Sequence, residues 1–184
     1  FHLGIARDDL TDLRTRLDEG LSEGDVVLIS GGSSVGTRDL TVEVIESVPG
    51  AEILLHGVAV SPGKPTILAQ VGDKLVWGLP GHPVSAMVIF MILVAPALWR
   101  MGGRKAWDAP RPWTLKAIAS RNIPSAQGRE DYVRVKLSEQ DGQLMATPIF
   151  GKSGSISTMV KGDGLLRIPM DSEGVQEGDE VALR

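Results

Sequence analysis

The chain has 184 residues, 42% of them hydrophobic and 23% charged, and a formal net charge of −4. Acidic and basic residues are mixed along the whole length with no basic block, which argues against a protein that tracks a nucleic-acid backbone. There is no cysteine and there are three scattered histidines (His2, His56, His82), so disulfides, thiolate nucleophiles and Cys-based zinc sites are excluded and a His-rich metal site is disfavoured.

Taken in chain order, residues 1–5 read as the end of a buried strand. They lack both an initiator Met and the pattern of a signal peptide, so the chain is expected to be a fragment. Asp8-Asp9 then precedes Leu10, Leu13, Leu17 and Leu21, whose three- and four-residue steps predict a helix capped by an aspartate and ended near Gly24. Residues 25–30 read as a fully buried strand of the kind found in parallel sheets. After a Gly/Ser loop (31–36) come a short helix (40–48), a strand (51–60) and two paired strands (66–71 and 74–79) turning at Gly72-Asp73. The uncharged run 83–99 falls short of the roughly 20 residues that span a bilayer and contains Pro96, so it is expected to be a buried helix ending near Met101. Strands and helices alternate, which predicts an α/β layer architecture.

Beyond that helix the character changes. The predicted division is an α/β domain over 1–102, a linker over 103–112 rich in Gly, Pro and basic residues, and a second domain over 113–184. Short strands are expected at 113–122, 131–137, 144–150 and 165–169, with a last one entered through Glu177-Gly178-Asp179. Turn signals separate them, and the set predicts a small barrel or sandwich.

Three loops stand at strand ends. In Ser30-Gly31-Gly32-Ser33-Ser34-Val35-Gly36 the glycines would let backbone N–H groups approach an anion, or they form a plain connection. Asp39 beyond it is either a helix N-cap or a carboxylate for a hard cation such as magnesium. Ser61-Pro62-Gly63-Lys64-Pro65 is a rigid turn that either aims Lys64 at a fixed point or leaves it solvated. Gly78-Leu79-Pro80-Gly81-His82-Pro83-Val84-Ser85 delivers free N–H groups at a helix start. Gathered in one crevice of an open α/β sheet, the loops describe a site for an anionic ligand with a carboxylate-held cation. Asp8 is a second acidic candidate, or else a cap shared with Asp9.

These residues, with Gly4-Ile5-Ala6-Arg7-Asp8-Asp9, resemble the molybdopterin molybdenumtransferases, the MoeA and gephyrin-type insertases. The second half adds weaker matches at Gly128-Arg129-Glu130-Asp131-Tyr132-Val133-Arg134 and Gly151-Lys152-Ser153-Gly154-Ser155. The resemblance implies an incomplete three-layer molybdopterin-binding α/β domain with an open, mostly parallel sheet, followed by a small all-β barrel. It implies an enzyme that takes adenylylated molybdopterin and molybdate, releases AMP with magnesium, and delivers the metal-loaded cofactor. By carry-over Asp8 and Asp39 are catalytic and hold Mg2+, and Lys64 offers positive charge. Ser30, Gly31, Gly32, Ser33, Pro80, Gly81, Pro83 and Ser85 bind the pterin phosphate, and Arg134 and Ser155 reach in from the barrel. Implied partners are small molecules, a second copy of the full-length chain, the adenylyltransferase and molybdoenzyme targets, in the cytoplasm, with no nucleic acid or membrane.

The chain also departs from the family pattern. Many relatives carry lysine where this chain has Gly57 and Ser61, which weakens the expected anion site, and His82 replaces a common asparagine. The family's opening acidic loop has no counterpart, so the chain alone is expected to be inactive. Two other readings stay open: the related adenylyltransferase, which normally lacks a barrel, and a gephyrin-like scaffold.

Overall fold

A computed structural model describes residues 1–31, 40–105 and 115–184. In chain order its elements are α1 (Leu10–Glu23), β1 (Val26–Ser30), α2 (Leu40–Glu46), β2 (Ala51–His56), β3 (Val60–Ser61), β4 (Ile67–Val71), β5 (Lys74–Leu79) and α3 (Pro83–Ile89). A π-helical turn (Phe90–Val94) leads into α4 (Ala95–Met101). There follow β6 (Leu115–Ala119), β7 (Ile123–Pro124), β8 (Glu130–Gln140), β9 (Gln143–Pro148), α5 (Ser157–Val160), β10 (Gly164–Ile168), β11 (Gly174–Val175) and β12 (Glu180–Leu183). The chain divides into two compact units, Phe1–Val58 with Gly63–Phe90, and Ala59–Pro62 with Met91–Arg184.

In the first unit the sheet order is β1-β5-β4-β2. Its core joins Leu17 of α1 and Val44 and Ile45 of α2 to Val27, Val76, Ala69 and Ile67 of the sheet. The sheet is mixed rather than mostly parallel: β1 and β5 run parallel, while β5–β4 and β4–β2 are antiparallel. The two-residue turn between β4 and β5, with Gly72 at φ 61°, permits only an antiparallel hairpin. Strand β1 is half covered, not fully buried. Val27 packs into the core while Leu28 on the opposite face is 43% exposed, as suits the edge position of β1 among the described strands.

Three further expectations need correction. Residues 1–7 form no strand, and Phe1 and Ile5 are exposed. Gly4 at φ 81° breaks the extended run, and the Leu3 carbonyl instead accepts a 2.6 Å hydrogen bond from Arg16 Nη1 on α1. Strand β2 stops at His56 because Gly57 turns at φ 88°. The helical run Pro83–Met101 is long and apolar enough to cross a membrane by length and composition. It is buried on one side only: Val84, Val88, Ile89 and Val94 are inside, whereas Met87, Phe90, Leu98 and Met101 are exposed. Its π-helical turn falls immediately before Ala95-Pro96, where the proline lacks the N–H that would continue the α register.

In the second unit β10, β12, β6, β9 and β8 follow one another, and a β8–β10 pairing closes them into a five-stranded barrel. Its core is built by Ala117, Ala119, Ile123, Val135, Ala146, Leu166, Ile168, Val181 and Leu183. The β8–β9 hairpin turns through Asp141 at φ 52° and Gly142 at φ 77°, the two left-handed positions of a type I′ turn. Strand β3 adds to β8 in parallel, and β7 and β11 form a separate two-stranded ribbon. These three strands and the single turn α5 were not expected from the sequence.

Candidate functional site

Strand register in the first unit decides where its loops emerge. Ser30 at the end of β1 pairs with Leu79 at the end of β5, Gly78 pairs with Ile67 at the start of β4, and Ile67 pairs with His56 at the end of β2. The chain therefore leaves β1 and β5, and returns into β4, along one edge of the sheet. Gly31 N–H donates to the Leu79 carbonyl at 3.3 Å, and Thr41 Oγ1 donates to the Gly31 carbonyl at 3.3 Å. A Cβ on Gly81 would lie 3.4 Å from Gly31 Cα, so Ser30-Gly31 and Pro80-Gly81 are brought into contact range and a side chain on Gly81 would crowd its neighbour.

Pro83 opens α3 with His82 as an N-cap that makes no side-chain capping bond. The first helical N–H groups, those of Val84 and the buried Ser85, thus have no intrahelical acceptor. Lys64 is exposed at the same edge, three residues before Ile67. Its carbonyl accepts the N–H groups of Val58 and Thr66, both at 2.9 Å, and Thr66 Oγ1 donates to the Gly63 carbonyl at 2.7 Å. A flexible ammonium stem is thereby mounted on a fixed backbone.

Asp8 is exposed and, contrary to expectation, follows no strand. The cap of α1 is Asp9, whose carboxylate accepts the Asp12 N–H at 2.9 Å. At its other end α1 is tied to the start of β5, where Lys74 Nζ donates to the Leu21 and Gly24 carbonyls at 2.5 and 3.1 Å. The first turn of α1 therefore points toward the edge where β1 and β5 end. Gly32, Ser33 and Asp39 lie outside the described residues. Among the described residues no group of three or more His, Asp or Glu side chains gathers to hold a metal ion.

On the barrel, Arg134 of β8 is 8% exposed. Its Nη2 donates to the Gly151 carbonyl at 3.2 Å, while Nε is buried without an acceptor among the described residues. Burial pulls its pKa below the ordinary arginine value, and the guanidinium still stays charged. Gly162 packs against Arg134, with a built Cβ falling 3.5 Å from Arg134 Cβ, and Gly151 packs against Thr158. Between these glycines Thr158 donates to the Ser155 carbonyl through N–H (3.1 Å) and Oγ1 (2.8 Å). Ser155 is exposed, its hydroxyl 2.9 Å from that of Ser157. Arg134 thus sits at the root of the loop that carries Ser155.

One cluster escaped the reading of the sequence. Asp131 on β8 is 5% exposed and accepts Ser125 Oγ at 2.5 Å and Arg129 Nε at 3.4 Å, and Ser61 of β3 pairs with it in register. Burial opposes its ionisation, but the Ser125 hydroxyl and the Arg129 charge outweigh it and hold the carboxyl below its ordinary value. Ser61 is too far from Asp131 in sequence for any local pattern to join them, and Ser125, six residues before it, lies across a turn rather than on the same strand.

Comparison with known proteins adds to this geometry. Residues 1–100 match a family model described as "Probable molybdopterin binding domain", and residues 116–183 match one described as "MoeA C-terminal region (domain IV)". The chain belongs to the molybdopterin molybdenumtransferase (MoeA) family. It is 37% identical over 96% of its length to a molybdopterin biosynthesis protein of Methanocaldococcus jannaschii, covering 40% of that relative. It is 33% identical over 98% of its length to the molybdopterin molybdenumtransferase of Haemophilus influenzae, covering 44% of it. Among solved structures, the MoeA protein of Pyrococcus horikoshii superposes with a TM-score of 0.79 at 37% identity, covering 98% of this chain and 42% of that one. A molybdenum cofactor biosynthesis protein of Pyrococcus furiosus gives 0.75 at 29% identity, covering 98% and 56%. The chain spans less than half the length of these curated MoeA relatives.

Proposed function

We propose that the full-length protein carrying this chain is a cytoplasmic molybdopterin molybdenumtransferase, which accepts adenylylated molybdopterin and molybdate and releases AMP and the metal-loaded cofactor. The observation that carries this reading is the gathering of Ser30-Gly31, Pro80-Gly81 and the Lys64 turn along one edge of the sheet. The N–H groups of Val84 and Ser85, in the first turn that Pro83 opens, would donate to a phosphate, and Ser30, Gly31, Gly32, Ser33, Pro80 and Gly81 are read as lining the same ligand. Lys64 contributes a positive charge, and from the barrel Arg134 and Ser155 offer a buried guanidinium and an exposed hydroxyl. The match of residues 116–183 to domain IV supports the transferase over the adenylyltransferase.

Magnesium would be held by Asp8 and Asp39. The exposed Asp8 carboxylate is a hard oxygen donor of the kind that this ion takes, and when bound the ion would neutralise charge developing on phosphate oxygens. In the full-length protein, which we take to be a homodimer, Asp39→Asn is expected to abolish magnesium-dependent AMP release. Unchanged AMP release in that variant would sink the assigned role.

A further inference from the structure

Lys64 carries its ammonium on a flexible stem, so the direction in which the backbone launches that stem limits what it can reach. The direction depends on the two planar peptide units that meet at its Cα, and Thr66 fastens both. The unit before Lys64 is held through the Gly63 carbonyl, which accepts Thr66 Oγ1 at 2.7 Å. The unit after it is held through the Lys64 carbonyl, which accepts the N–H groups of Thr66 and Val58, both at 2.9 Å. Thr66 is anchored in its turn. It is 0% exposed, and its carbonyl accepts the Gly57 N–H at 2.8 Å. The hydroxyl bond has a particular task, because Gly63 at φ 142° has no side chain to hinder rotation of the peptide it shares with Lys64.

We propose that Thr66 is a positioning residue: its hydroxyl locks the Gly63–Lys64 peptide and so fixes the direction in which Lys64 is presented to the anionic substrate. Packing alone does not call for a hydroxyl here, since a buried one is costly unless it is bonded. Thr66→Val keeps the branched shape and removes only the hydroxyl, which leaves the carbonyl of the buried Gly63 without this donor. Thr66→Ser keeps the donor and gives up a methyl group. The inference deepens the functional reading above and rests on Lys64 facing the substrate.

The test uses the full-length protein as Thr66→Val, Thr66→Ser, Lys64→Ala and the double variant Lys64→Ala/Thr66→Val. Thr66→Val is expected to raise the KM for adenylylated molybdopterin by about fivefold with kcat nearly constant, since a binding charge is misdirected and no reacting group is lost. Lys64→Ala should raise it at least as far, and Thr66→Ser should stay within about twofold of the parent. In the Lys64→Ala background Thr66→Val should add nothing further, because its effect travels through Lys64. Amide exchange at Lys64 should quicken in Thr66→Val while β1 and β5 keep their protection. An unaltered KM in Thr66→Val beside a raised one in Lys64→Ala would overturn the role of Thr66 alone. So would an equal rise with and without Lys64, or protection lost across β1 and β5. If Lys64→Ala itself leaves KM unchanged, the reading of Lys64 as a substrate contact fails and takes the proposal with it.

Discussion

Arg134 is a costly residue for the barrel to bury. A charged group buried there with Nη2 on one carbonyl and Nε without an acceptor among the described residues adds little to stability, because a desolvated charge is offset only by full pairing. Arg134→Met, which keeps much of the volume, is therefore expected to leave the thermal midpoint of the full-length protein unchanged or higher while weakening substrate binding by tenfold or more, at about 1.4 kcal/mol per decade. A clear drop in the midpoint would make Arg134 a structural residue. Gly174 is the opposite case. It holds φ at +144°, and a Cβ there would stand 2.3 Å from the Ile123 carbonyl oxygen. Gly174→Ala should cost more than about 2 kcal/mol, as backbone strain and a steric clash add. Gly142→Ala, at φ +77° with open space around it, should cost about 1 kcal/mol; denaturant midpoints of the two variants check the ranking. The turn at Gly142 was legible because Asp141-Gly142 follows and precedes strand-like runs. Gly174 was not, since its constraint comes from a strand far away in sequence.

At the scale of elements, what was legible is what is locally encoded. The leucine spacing of α1, the hairpins β4–β5 and β8–β9, and the turn into β12 each carry their own period or turn chemistry. Strands β3, β7 and β11 do not, because a two-residue strand has no period and exists only through its partner. The expected parallel sheet rested on apolar runs that look alike in parallel and antiparallel settings, and Leu28 shows that an apolar run need not be covered on both faces. The loops of the candidate site were visible as glycine-rich punctuation, but their meeting at one edge depends on the register of four strands. Of the two aspartates before α1, only Asp9 caps it. Asp9→Ala is expected to cost about 1 kcal/mol and Asp8→Ala distinctly less, as unfolding curves would show. Equal losses would mean that the two carboxylates share the cap.

For the molecule as a whole, acid should strike the barrel. Three of its carboxylates, Glu130, Asp131 and Asp163, are held below their ordinary values. Glu130 owes this chiefly to its hydrogen bond with Arg167, Asp163 to the Leu137 N–H and Lys136, and Asp131 to the Ser125 hydroxyl and Arg129, which overcome burial. A carboxyl whose folded pKa is lowered stabilises fully above its unfolded value, and that contribution is lost as pH falls through the folded one. Starting from ordinary values of 4.5 for Glu and 3.8 for Asp, the loss begins below about pH 5 and deepens toward pH 3. Amide exchange across β8 and β10 should quicken over that range, and protection that stays constant between pH 6 and 3 would contradict it.

The closure of the barrel also sets an order of events at the ribosome. Strand β12 lies between β6 and β10 and is made of Glu180–Leu183, so residues 115–119 must wait for residues 180–183 to emerge before their pairing is complete. The helices and sheet built from residues 10–89 can be assembled long before that. During the interval β6 and β10 offer unpaired edges, the kind of surface that invites wrong partners. Translation speed between β6 and β12, and chaperone occupancy while that stretch emerges, should therefore govern how much of the barrel reaches its finished form.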